Sequence, residues 1–291
     1  MINKRIWSTV IIFLITISGI NAQTPDVFRL EYMSMPKNKD EVALTRLKIV
    51  ANVPIKVGKE DNFIIGGEYN KFAYVLDQEV AFDKDVFKDF HVIDLNLAYM
   101  YRYNEDWRFI GVVTPRISST LNEPLQKNDI AMNVTVGVLK EKKNVEKPTR
   151  LVLGLSYNST VAFRIPLPVL YFEKRFDPKW AYVIGAPKSA LKFYRTEKSV
   201  FQTEFILDGY YANLQNNMLL PNGNSAAAIS SSAALITLGY QHTIAKNMFV
   251  YGFMGHTLFN NGVLRNEERK ESIILNNESS FYFRTGFRIG L

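Results

Sequence analysis

The side chains that most often carry chemistry are few in this sequence. It has three histidines, His91, His242 and His256, and no cysteine. Without cysteine there is no thiol nucleophile, no thiolate-held zinc or iron–sulfur site and no disulfide framework. A hydrolytic site would need an imidazole beside a hydroxyl. No histidine has a serine at a spacing that implies one shared site, and no nucleophile motif occurs. Glu204 and Asp208 are four residues apart, about 13 Å along one strand face, too far for a pair of acid–base carboxylates. Phosphate-loop and dinucleotide patterns are absent. These residues predict no cofactor, no metal and no dedicated catalytic centre.

The first segment predicts export. Met1 to Ala22 reads as a secretory signal peptide, with Lys4 and Arg5 as its positive region, Val10 to Ile17 as its apolar core and Ile20-Asn21-Ala22 before a cut at Gln23. The apolar stretch is shorter than the roughly 20 residues of a membrane-spanning helix. No cysteine follows the cut, so no lipid anchor is expected. Removal of the segment through the Sec pathway leaves one expected domain, 23–291, and lowers the formal charge from +7 to +5. The 47% hydrophobic and 13% aromatic content argues against disorder. An exported chain without disulfides points to a bacterial envelope. Nucleic acid is not an expected partner: the compartment is wrong, and the densest basic run, Lys140-Glu141-Lys142-Lys143, reads as a solvated turn.

Alternation with period two runs through the rest. Ile93, Leu95, Leu97, Tyr99, Tyr101 and Tyr103 share one face, with Asp94, Asn96 and Arg102 on the other. Fourteen such segments are expected, at 26–34, 41–53, 62–71, 90–103, 107–118, 129–140, 149–158, 168–175, 180–186, 189–196, 199–212, 232–244, 247–258 and 279–291. Pro168, Pro178 and Pro187 punctuate the region 160–198, where two segments could be one bent strand, giving 12. With the N-terminus at the periplasmic end, the connections 72–89, 119–128, 213–231 and 259–278 all fall on the outer side and are long. Those at 104–106, 196–198 and 245–246 are tight, with 141–148 the exception. This asymmetry belongs to outer-membrane barrels. The predicted fold is an all-β, transmembrane, antiparallel up-and-down barrel of 12–14 strands. Ser225 to Ala234, after Pro221-Asn222-Gly223-Asn224, is expected as an outer loop. Tyr99, Tyr101, Tyr103 and Trp107 are expected in a periplasmic aromatic girdle.

The chain ends in an alternating strand, with Phe281, Phe283, Phe287, Ile289 and Leu291 against Tyr282, Arg284, Gly286, Arg288 and Gly290. Arg284, Gly286, Ile289 and Leu291 resemble the C-terminal assembly signal of outer-membrane barrels, with Leu in place of the usual final Phe. Together with Asp26-Val27-Phe28-Arg29-Leu30-Glu31-Tyr32, Pro168 to Phe172, Asp177 to Trp180 and Gly185 to Lys188, this strand resembles a family of Gram-negative outer-membrane β-barrels of unknown function. The resemblance implies fold and location and says nothing of activity.

If apolar faces meet lipid, the opposite parity lines the lumen. The inward bases are then Arg29, Arg46, Lys48, Arg102, Arg108, Arg116, Arg150, Arg175, Lys192, Arg284 and Arg288. The inward acids are Glu31, Glu68, Asp94, Glu173, Glu204 and Asp208. An open lumen with this excess of base would favour anions. Ladders of Arg and Glu that fill the interior are the equal alternative. Only Gln23, Thr24 and Pro25 precede the first strand, so no N-terminal plug is expected. His256 is expected inward near the outer rim, His242 at the periplasmic lipid interface and His91 near an outer strand end. The function expected is a passive pore for small polar or anionic solutes. A closed structural or surface-interaction barrel is the alternative, and a lipid hydrolase around His256 or His91 the third. Expected partners are outer-membrane lipid, lipopolysaccharide and the barrel-assembly machinery.

Overall fold

A computed structural model describes residues 26–77, 79–143, 145–158, 166–221 and 223–290; the expected signal peptide and Leu291 lie outside these. One sheet holds every strand. In chain order these are β1 (Phe28–Met35), β2 (Val42–Val57), β3 (Asp61–Leu76), β4 (Phe90–Arg102) and β5 (Trp107–Ser119). Then follow β6 (Ile130–Lys142), β7 (Thr149–Asn158), β8 (Leu167–Asp177), β9 (Trp180–Ala186) and β10 (Lys188–Tyr194). Last come β11 (Ser199–Leu219), β12 (Ser225–Ala245), β13 (Met248–Arg265), β14 (Glu271–Asn276) and β15 (Phe281–Ile289). Each successive pair from β1 to β13 is antiparallel. Both β14 and β15 pair with β13, as two pieces of one interrupted strand. β15 also pairs with β1 from Phe28↔Ile289 to Ser34↔Phe283, which closes a 14-stranded antiparallel barrel.

The outward parity is apolar and bare. On β6, Ile130 and Val136 are 53% and 54% exposed, while Asn133 and Leu139, of the opposite parity, are buried. Water would make that pattern costly, at about 25 cal/mol per Å² of apolar surface. Against hydrocarbon it costs nothing, and closure leaves no strand edge unpaired along the wall. Among the described residues no helix is long and apolar enough to cross a membrane, which says nothing of strands. Tyr99, Tyr101 and Tyr103 stand exposed at the inner end, the Tyr99 hydroxyl donating to Asp61 Oδ2 at 2.7 Å.

The region 160–198 holds three separate strands where it is described, so the count is 14 rather than 12. The wall is uneven: β9 and β10 have 7 residues each, β11 and β12 have 21. That height corrects the outer loops. Most of 213–231 is strand, and 259–278 carries the end of β13 and β14. Ser225 to Ala234, expected as a loop, is the first half of β12 and mostly buried. Its run of Ala and Ser has no alternation to read, because consecutive residues, on both faces of the strand, are buried from Ala226 to Ser231. The Lys140–Lys143 run likewise belongs mainly to β6 rather than to a turn.

Candidate functional site

The barrel interior is in two layers. The outer layer is apolar: Met33, Leu44, Phe72, Tyr74, Phe90, Leu214, Ile229 and Leu235 belong to one buried cluster. Phe72 and Tyr210 stack with ring centroids 4.2 Å apart, and the Tyr210 hydroxyl bonds that of Tyr74. The β3–β4 connection adds a 3-10 turn, Asp85–Phe87, that sends Phe87 fully into the cluster. β3 and β11 are far apart in strand order, so these rings meet only across the interior.

A bulge in β11 caps this layer. The β11–β12 register jumps between Asn213 and Met218. Asn216 and Asn217 take φ of 67° and 36°, a left-handed conformation that Asn tolerates better than most residues. Asn213, still paired with Ala228 of β12, also pairs with Ser119 of β5, on the far side of the barrel. Ser118 Oγ donates to Tyr211 O at 2.5 Å and Thr120 N to Asn213 O at 3.2 Å. Asn213 Nδ2 and Gln215 Nε2 each donate to the buried Asp129 carboxylate at 2.7 Å. Burial pushes the Asp129 carboxyl up, but bonds from Ser119, the Gln126 backbone, Asn213 and Gln215 together hold it below the usual range.

The inner layer is charged. Arg46 bonds Asp208 at 3.2 Å and Glu31 at 3.4 Å. Arg284 bonds Glu204 at 2.7 Å and stands 3.8 Å from Glu31. Glu204 is wholly buried, receives Lys188 and Gln202 as well, and lies 3.4 Å from Thr237 Oγ1. Arg116 holds Asp94 by two bonds of 2.6 Å. Lys48 meets Glu68 at 2.8 Å and Lys192 meets Glu173 at 2.5 Å. Arg150 faces Glu141 on one neighbouring strand and Glu173 on the other. Toward the inner end Arg102 meets Glu60 at 3.1 Å and Arg108 meets Glu141 at 3.5 Å. Asp26 takes both Arg29 and Arg288, and Arg288 also bonds Gln241 at 2.9 Å. Arg175 lies over the Tyr194 ring at 4.5 Å.

Three of these acids, Asp26, Glu60 and Glu141, were not among the expected interior set. For Glu141 the missed signal is parity: β6 alternation continues to Lys142 and puts Glu141 with Asn133 and Leu139. Two glycines make room for rings in this layer. Tyr251 lies over Gly286, where a Cβ would fall 2.5 Å from its hydroxyl, and so reaches Glu31 at 2.7 Å. Phe253 lies over Gly239 in the same way and carries Arg284 at 4.4 Å from its ring centre. Ile289 pairs with Phe28 and Met248 at the inner end of the seam.

The histidines depart from expectation in two respects. His256 shares the outward face with the exposed Met254 and packs edge-on against Phe281, 5.2 Å between centroids. The inward parity of β13 is Tyr251, Phe253 and Thr257, and its two aromatic rings reverse the hydrophobicity that gave the facing. His242 does have a serine: the register pairs it with Ser199 across β11 and β12. Its Nδ1 lies 3.4 Å from Ser199 Oγ and 2.9 Å from the Tyr240 hydroxyl. A phenol, not the carboxylate of a hydrolytic triad, orients this ring among the described residues. His91 bonds the Tyr69 hydroxyl at 2.9 Å on the outward face.

No curated protein matches the sequence. Among solved structures, the chain is similar to a KdgM porin at 5% identity, covering 91% of this chain and 98% of that one, with a TM-score of 0.38. LpxR from Salmonella typhimurium matches at 6% identity over 90% and 100%, with a TM-score of 0.39. Outer membrane phospholipase A from Escherichia coli matches at 8% over 93% and 99%, with a TM-score of 0.37. Residues 31–290 match one sequence family, and the chain belongs to that family, described as a domain of unknown function, DUF6268.

Proposed function

We propose that this outer-membrane-type barrel resides in the outer membrane with a closed lumen, and works through its wall and outer surface rather than by conducting solutes. The observation that carries this reading is the cap: β11 crosses the outer mouth to β5 above a packed apolar cluster. Water and ions have no favourable path through a layer of buried aromatic and aliphatic side chains. Beneath it the fixed charges already have protein partners, so they offer a passing anion little that is unsatisfied.

Planar-bilayer recording of the folded chain tests this. The expected result is no stepwise current from the intact protein, and currents once Leu214 to Asn217 are excised. Stable steps from the intact protein would overturn the closed reading. The charged lining under the cap favours a second reading, a gated passage for small polar or anionic solutes. Its mark would be intermittent anion-preferring current in the intact chain, shifted by charge reversal at Arg102, Arg108, Arg116 or Arg284.

A further inference from the structure

The outward wall carries one depression with an amphipathic plan. The registers place Phe201, Tyr240, Gly252, Thr285 and Tyr32 in a single row across β11, β12, β13, β15 and β1. Large rings stand at both ends of the row and small residues at its middle. A Cβ at Gly252 would meet nothing within 4 Å. On the outer side the next row, Leu238, Met254 and Phe283, forms a rim. The groove so enclosed has a volume of about 540 Å³. Toward the inner end it runs into polar groups: the Tyr240 hydroxyl lies 2.9 Å from both Ser199 Oγ and His242 Nδ1. Lys198 follows in the adjoining turn, its carbonyl accepting from Thr243 N at 2.8 Å.

We propose that this groove seats one acyl chain of a periplasmic-leaflet phospholipid, with its phosphate held by Tyr240, His242, Ser199 and Lys198. The proposal rests on the membrane reading of the barrel. In a bilayer, apolar surface gains nothing by leaving lipid, so selective retention must come from shape contact and polar bonds. The groove supplies the first along a chain's length and the cluster supplies the second at one end. A second copy of the protein fits less well, because a two-fold contact would set the hollow against itself.

The test is native mass spectrometry of the folded, detergent-purified chain after exchange with phosphatidylethanolamine and phosphatidylglycerol. The intact protein should retain one phospholipid. Gly252→Trp, or Gly252→Leu if the larger ring hinders folding, should lower retention about tenfold with the barrel intact, because the new side chain fills the hollow and forfeits the close contacts with the acyl chain. Tyr240→Phe with His242→Ala should also weaken it, and inorganic phosphate should not compete. Equal retention by the Gly252 variants, displacement by free phosphate, or a dimer that the Gly252 variants split would each overturn the proposal. A protein that inserts into vesicles but holds no lipid removes the groove alone; one that stays in water removes the membrane reading beneath it.

Discussion

At the scale of single residues, Glu204 is a wholly buried carboxylate on which three side chains converge, since Lys188, Gln202 and Arg284 all bond it. Replacing it with Ala leaves Lys188 without its carboxylate and Arg284 with only Glu31 at 3.8 Å, and loss of one member of a buried ion pair costs about 3–5 kcal/mol. Glu204→Ala should therefore lower the free energy of unfolding, read from urea titration in lipid vesicles, by that amount, whereas Glu105→Ala on the exposed turn should leave it unchanged. Gly286→Ala should act differently. The added Cβ would fall 2.7 Å from Leu30 O as well as against Tyr251. It should displace the ring from Glu31 and cost about 1–3 kcal/mol, of which Tyr251→Phe should reproduce in the same assay only the part due to the lost bond to Glu31. The facing of such residues is legible from alternation, but their partners are not. Arg46 and Asp208 are 162 residues apart, and nothing local in either strand says that they meet.

At the scale of elements, the latch between β11 and β5 turns on Asp129. Its folded pKa lies below the value of about 3.9 of an unfolded Asp, so its ionised form stabilises the latch above that value. The contribution is lost as pH falls through the folded pKa, and is constant from about pH 5 upward. Amide exchange across 213–219, taken relative to the intrinsic rate at each pH, should thus be flat near neutrality and rise only in acid. Asp129→Ala should raise it at neutral pH and remove the acid dependence; an unchanged profile would dismiss the carboxylate as the latch. The sequence shows strands well where one face meets hydrocarbon and the other does not, as in β4 to β7. The strand is missed in the first half of β12, where Ala and Ser pack on both sides, and the facing alone is misread in β13, where Tyr251 and Phe253 fill the interior. In both places inward packing, rather than lipid, chose the residue.

At the scale of the whole molecule, the closed barrel and its interior pairs are one cooperative object. The seam joins Phe28 to Ile289, near the two ends of the described chain. Tyr251 reaches Glu31 over 220 residues and Arg284 reaches Glu204 over 80. Such non-local pairing makes formation slow. Until β1 meets β15, the arginines and carboxylates of the inner layer lack partners across the gap and must stay hydrated, and the sheet offers two raw edges to any other chain. A half-built wall therefore has no reason to enter hydrocarbon. The seven pairs of the seam act as the step at which water leaves, so slowing closure should prolong a hydrated, aggregation-prone sheet instead of trapping a partly inserted one.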